Sequence, residues 1–125
     1  MIGFGQQTYV PDDNFEAYLE NNGMGNGITN DDYVTTANIN TITYLNVNYL
    51  NIDDLTGIED FTALMEFLCN GNQLTSLDFS SNTALGNLSC NQNQLTSLSV
   101  NTALQTLQCN YNLLTSLDIS GATAL

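Results

Sequence analysis

The sequence predicts an α/β solenoid: stacked units of about 20 residues, each with one parallel strand, mostly strand and loop, behind a helical N-terminal cap. Three observations predict it. Leu74-Thr75-Ser76-Leu77 recurs as Leu95-Thr96-Ser97-Leu98 and as Leu114-Thr115-Ser116-Leu117, at offsets of 21 and 19 residues. Cys69, Cys90 and Cys109 keep the same offsets, as do Asn72, Asn93 and Asn112. The first 40 residues carry no repeat and read instead as a capped helix and loops. With 125 residues the chain makes one structural domain.

The cap and its lead-in occupy residues 1–40. Met1 to Val10 lacks the basic start and apolar stretch of a secretory leader. Small residues before Gln6-Gln7 suit the tail of one, and a frayed terminus is the alternative. Pro11-Asp12-Asp13 opens a helix through Glu20, its acids at the positive end of the helix dipole. Phe15, Tyr18 and Leu19 form its apolar face. Asn21-Asn22-Gly23 ends it, and Gly25 and Gly27 hold the next segment in a loop. A second short helix or turn is expected near Asn30-Asp31-Asp32, carrying Tyr33 and Val34.

Residues 41–125 hold about four repeats, the last incomplete. Thr-Ala-Leu recurs at 62–64, 83–85, 102–104 and 123–125. A weaker first copy aligns Ile42, Leu45, Val47, Ile52 and Leu55 with Leu64, Phe67, Cys69, Leu74 and Leu77. The third repeat is two residues short between Leu98 and Leu104, which puts the deletion in a loop. A unit this short cannot bury its own apolar side, but stacked units can, at one rung per ~4.8 Å. Leu88 and Cys90 are two apart on a strand and point inward, so Asn87, Ser89 and Asn91 point outward.

One unit reads Leu85-x-x-Leu88-x-Cys90-x-x-Asn93-x-Leu95-x-x-Leu98, which resembles the leucine-rich repeat. The resemblance covers residues 41–125. The Leu-Thr-Ser-Leu-Asp and Asn-Thr-Ala-Leu phrases are similar to those of secreted bacterial, internalin-like leucine-rich-repeat proteins, whose repeats run about 21–22 residues. Tyr9-Val10-Pro11-Asp12-Asp13-Asn14-Phe15-Glu16 resembles the cap that precedes such repeats. The resemblance implies a right-handed superhelix and a non-enzymatic module that recognises a protein or glycan, secreted or at the cell surface. The alternative is a purely structural segment of a longer adhesin. The absence of Lys and Arg departs from the family's usual repeats.

That absence has consequences of its own. Thirteen acids and no Lys, Arg or His give a formal charge of −13. Nucleic acid and anionic membranes are bound through Lys and Arg, so neither is an expected partner. No run approaches the ~18 apolar residues of a membrane span. Reactions needing a His base, a Lys nucleophile or an Arg clamp are excluded, and no enzyme is expected. A hydrophobic fraction of 42% argues for a folded chain. Eleven of the 13 acids lie between Asp12 and Glu66, so repulsion concentrates in and beside the cap.

The expected recognition face is the outward, concave side of the sheet: Tyr44, Asn46, Asn48; Glu66, Leu68, Asn70; Asn87, Ser89, Asn91; and Thr106, Gln108, Asn110. Amides and a tyrosine can bind a glycan or a polar protein surface, and Leu68 is the odd apolar member. The cysteine spacing fits neither zinc nor a disulfide framework, so buried free thiols are expected. The Asn72, Asn93, Asn112 column is expected to satisfy backbone groups at the turn after each strand. No cofactor is expected, with calcium as the one candidate, since Asp12-Asp13, Asp31-Asp32, Asp53-Asp54 and Glu59-Asp60 offer oxygen ligands. The loop from Asn22 to Asp32 misses the EF-hand spacing, because Met24 falls on a ligand slot. Thr75, Thr96 and Thr115 stack with Ser76, Ser97 and Ser116, a ladder similar to those of ice-binding solenoids, although turn chemistry also accounts for it. Leu117, Ile119, Ala124 and Leu125 finish a rung with nothing stacked on it, which implies further repeats or an end-to-end homodimer.

Overall fold

The computed structural model describes residues 5–125. The cap opens with strand β1 (Gln7–Tyr9), antiparallel to β2 (Tyr33–Thr35) with Thr8 opposite Val34. From Gln7 to Tyr9 the lead-in is a paired strand; the leader-tail and frayed-end readings fall largely on Met1–Phe4, which lie outside the described residues. Helix α1 (Asp13–Asn21) is capped by Asp12, whose Oδ1 accepts the Asn14 and Phe15 amides at 3.0 Å each. Phe15 and Leu19 are buried, with Tyr18 at the margin. Gly23, at φ +75°, turns the chain away as expected.

Of the short helix or turn expected near Asn30-Asp31-Asp32, the structure shows the turn, and Tyr33 and Val34 lie in a strand instead. Asn30 and Asp32 sit at φ 58° and 67°, outside helical geometry. The aromatic Tyr33 and β-branched Val34 then extend as β2. Helix α2 (Thr36–Ile39) follows. Among the described residues no helix is long and apolar enough to cross a membrane.

The repeats supply β3 (Tyr44–Asn46), β4 (Glu66–Leu68), β5 (Ser76–Asp78), β6 (Asn87–Ser89), β7 (Ser97–Ser99) and β8 (Thr106–Gln108). The main sheet is parallel, in the order β3-β4-β6-β8, so each rung contributes one strand. The middle rungs add a feature the sequence reading left to turn chemistry: β5 and β7 pair in parallel as a second, two-stranded sheet. Leu77 and Leu98 bury while Ser76, Asp78, Ser97 and Ser99 face out, the alternation of a strand. The shortened third repeat loses its residues in the loop before Leu104, as the spacing predicted.

Columns of apolar side chains fill the interior. Leu45, Phe67 and Leu88 are buried in register, as are Val47, Cys69 and Cys90. Each such aliphatic or aromatic burial is worth about 1.5–3 kcal/mol. The Phe15 ring stacks on Phe61 at 6.2 Å, which joins the cap to the first rung, and Phe67 meets Phe79 edge-on at 5.7 Å. Burial fades towards the end: Leu107, Cys109 and Leu114 are partly covered, and Leu117, Ile119 and Leu125 are 38%, 39% and 45% exposed.

Asparagine amides bind one rung to the next. Asn72 Nδ2 donates to the carbonyls of Val47 at 2.9 Å and Cys69 at 3.1 Å, and its Oδ1 accepts the amides of Leu50 and Ile52. Asn93 repeats this on Cys69, Cys90 and the Leu74 amide. Asn112 repeats it on Cys90, Cys109 and the Leu95 amide. The sequence expectation for this column therefore holds. A second pair lies on the far side: Asn82 Nδ2 donates to Ile58 and Phe61 carbonyls, and Asn101 Nδ2 to that of Asn82. Its Oδ1 atoms are buried without a partner among the described residues.

Asn93→Ala removes one of two side-chain donors from each of the Cys69 and Cys90 carbonyls and takes the Oδ1 acceptor from the buried Leu74 amide. We expect a loss of about 2–4 kcal/mol in urea unfolding, whereas Thr102→Ala, at an exposed site, stays within about 0.5 kcal/mol. A neutral Asn93→Ala would mean that the column does not bear on stability.

Candidate functional site

The strand register fixes the outward face. One column runs Tyr44, Glu66, Asn87, Thr106, and the next runs Asn46, Leu68, Ser89, Gln108. Tyr44, Asn87, Thr106 and Gln108 are exposed, Asn46, Glu66 and Leu68 are half-buried, and Ser89 is buried. Leu68 is thus less open than a free apolar anchor. Its neighbours in the sheet flank it on both sides.

The third column, Asn48, Asn70, Asn91 and Asn110, is a ladder. Each Oδ1 of the first three accepts the backbone amide of the following one, at 2.7 Å every time. Ser89 Oγ donates to Asn70 Oδ1 at 2.8 Å. Asn48, Asn70 and Asn91 therefore already serve the backbone, while the side chain of Asn110 has no partner among the described residues.

Three adjoining depressions mark this face. The central one, about 430 Å³, lies over Glu66, Leu68, Asn87, Ser89, Thr106 and Gln108. A second, about 360 Å³, opens at the strand entries beside Tyr44 and Met65. A third, about 310 Å³, opens at the strand exits between Tyr49 and Tyr111. Tyr49, Gln92 and Tyr111 were not among the sequence-predicted site residues. The signal was present, since Tyr49, Gly71, Gln92 and Tyr111 recur at the repeat's own offsets. This face can donate and accept hydrogen bonds and stack aromatic rings, and Glu66 is its one carboxylate.

The acidic pairs face other work. Asp12 Oδ2 accepts the amides of Asp53 and Asp54 at 2.9 and 3.1 Å. Glu16 accepts those of Asp31 and Asp32, and Glu20 those of Asn26 and Gly27. Asp60 accepts the Thr8 hydroxyl and Glu59 the Gly57 amide. The carboxylates thus staple the cap loops to α1 and to the first rung. Oxygens of Asp13, Glu16 and Asp32 come within 4.8 Å of one another, the grouping among the described residues that could share a cation. The thiols are free, with Cys69 and Cys90 buried and Cys109 partly so. Burial pushes Cys69 well above the ordinary thiol range, and burial with the neighbouring Cys109 pushes Cys90 up to about 12.

Desolvation raises the Glu16 carboxyl above its ordinary value, against the opposing pull of the Asp31 and Asp32 amides. A carboxyl raised in the folded state holds its proton longer there than in the unfolded chain. Its contribution to stability therefore declines as pH rises above about 4.5. Following unfolding of wild type and Glu16→Gln from pH 4 to 7 (a range of about three units,), we expect wild type to lose ground to the variant as pH rises. A gain with pH would show that the amide bonds outweigh burial.

No protein-family model matches the chain. Over 75 residues, 60% of its length, it is 37% identical to Internalin J of Listeria monocytogenes serotype 4b (strain F2365). The solved functional domain of InlJ from Listeria monocytogenes, which includes a cysteine ladder, matches the whole chain with a TM-score of 0.80 and 36% identity. An internalin (inlF) from L. monocytogenes strain 4b F2365 matches 93% of it with a TM-score of 0.75 and 26% identity. The chain spans 8% of the curated relative and 28% and 34% of the two solved chains. Its parallel solenoid and its column of cysteines agree with these likenesses, and the chain carries an internalin-like leucine-rich-repeat fold.

Proposed function

We propose that the chain is a non-enzymatic recognition module that engages a protein or glycan through the outward face of the sheet β3-β4-β6-β8. The observation that carries this reading is the open trough on that face, with three depressions side by side and no described element packed over it. Concave, polar surfaces lined by a few aromatic groups are where binding sites concentrate. The likeness to internalins supports an adhesive role and a secreted or surface-attached setting. Nucleic acid stays outside the proposal because no cation lies anywhere in the chain.

Tyr44 and Asn87 make the cleanest probes. Both are exposed, and neither side chain serves the backbone as Asn48, Asn70 and Asn91 do. Surface plasmon resonance against a panel of extracellular glycoproteins and their deglycosylated forms tests the reading. We expect Tyr44→Ala to weaken the captured partner about tenfold or more, and Thr75→Ala, on the opposite side, to leave it unchanged. Equal affinity for wild type, Tyr44→Ala and Asn87→Ala would assign the face a structural role within a longer adhesin.

A further inference from the structure

The strand-exit end of the trough has a construction of its own. Tyr49, Gly71, Gln92 and Tyr111 occupy one position in successive rungs, at φ 56°, 66°, 57° and 57°. Glycine takes that left-handed turn without strain, while a bulky side chain there is disfavoured. Gly71 shows that the turn itself does not require a tyrosine. Two tyrosines held in a strained position point to what their rings do outside the turn.

The rings are also placed. A Cβ on Gly71 would clash with Cδ1 and Cε1 of Tyr49, so the Tyr49 ring lies against the bare Gly71 backbone. Its hydroxyl donates to Gln92 Oε1 at 2.7 Å. The ring is thereby held across two rungs with 68% of the residue still exposed. Tyr111, 82% exposed, stands beyond Gln92 on the far side of the depression of about 310 Å³. Among the described residues, Gln92 Nε2, Gln108 Nε2, the Asn110 side-chain amide and the Tyr111 hydroxyl have no partner. No carboxylate lines this depression.

We propose that this Tyr49–Gln92–Tyr111 cradle binds an uncharged saccharide, which deepens the recognition reading above and rests on it. A sugar ring has an apolar C–H face and a rim of hydroxyls. Tyrosine rings offer large, rigid platforms for the face, and primary amides donate to and accept from the rim. The depression lies at the lower end of small-ligand sites, about 300–1,000 Å³. A chain of charge −13 with no Lys, Arg or His repels a sulfated or carboxylated sugar, so the occupant is neutral. A preformed platform needs no reordering of Tyr49 when the sugar arrives.

The test is a ¹⁵N correlation NMR titration with chitohexaose, laminarihexaose and a neutral galactose-containing tetrasaccharide, with a heparin hexasaccharide as the anionic control. We expect one or more neutral probes to shift the side-chain amide signals of Gln92 and Asn110, with a dissociation constant of about 1 mM or tighter. Tyr111→Ala is expected to weaken that binding at least about tenfold. Tyr111→Phe, which keeps the ring, should retain most of it. The Tyr111 side chain has no partner in the described fold, and overlay of the backbone amide spectra confirms that the variant is folded. Absence of shifts with every neutral probe at about 10 mM would overturn the proposal. So would heparin binding equal to the neutral probes, or Tyr111→Ala binding like wild type. If no saccharide binds while Tyr44→Ala abolishes capture of a deglycosylated protein, the saccharide proposal falls and the recognition reading stands.

Discussion

The primary amide of asparagine is the group on which the rest of this solenoid depends. At each strand exit the chain turns, and carbonyls of two successive rungs point into a space that is buried at Asn72 and Asn93 and partly buried at Asn112. Left unmade, each such bond costs about 1–3 kcal/mol. Asn72, Asn93 and Asn112 answer with two donors and one acceptor on a side chain short enough to stay inside the turn. Aspartate would lack the donors. Because each amide reaches both its own rung and the one before, it also sets the register in which Leu45, Phe67 and Leu88 stack.

The same chemistry continues where ion pairs would serve in other chains. With no Lys, Arg or His, every charged side chain is negative, and none can find a cationic side chain as partner. Carboxylates are accommodated by backbone amides instead. Asp12, Glu16 and Glu20, spaced along α1, each receive amides from a loop. The accepted amides offset part of the cost of placing a carboxylate without a counter-charge, and at Glu16 burial still outweighs them. The acidic cap is thus a set of loop staples around Phe15 and Phe61, and the nearly charge-free repeats are held by apolar columns and side-chain amides without ion pairs.

What the sequence made legible follows from how local each signal is. The Leu, Cys and Asn columns repeat at fixed offsets, so the solenoid, its main strands and the structural role of Asn93 could be read directly. The Asp12 cap and the Gly23 stop are equally local. Near Asn30-Asp31-Asp32 the residues left a short helix and a turn both open; the turn, with left-handed backbone at Asn30 and Asp32, goes with the Glu16 carboxylate and with pairing of β2 to β1. Strands β5 and β7 were missed because Ser76 and Ser97 become strand residues only when their rungs lie side by side. On the face itself, alternation assigned Asn87 and Tyr44 outward. Alternation could not show that Asn70 and Asn91 also cap the next rung, nor that Tyr49 reaches over Gly71 to Gln92. Those contacts join residues about 20 or more positions apart, and only stacking brings them together.

Native-state hydrogen exchange tests the central claim most directly. The amides of Ile52, Leu74 and Leu95 lie in loops, outside any strand, and donate to the Oδ1 atoms of Asn72, Asn93 and Asn112. If the amide column holds the rungs together, these three exchange as slowly as strand amides of β4 and β6, and they open only with the solenoid. Exchange at the rate of ordinary loop amides, with the strands still protected, would show that the apolar columns hold the stack without them.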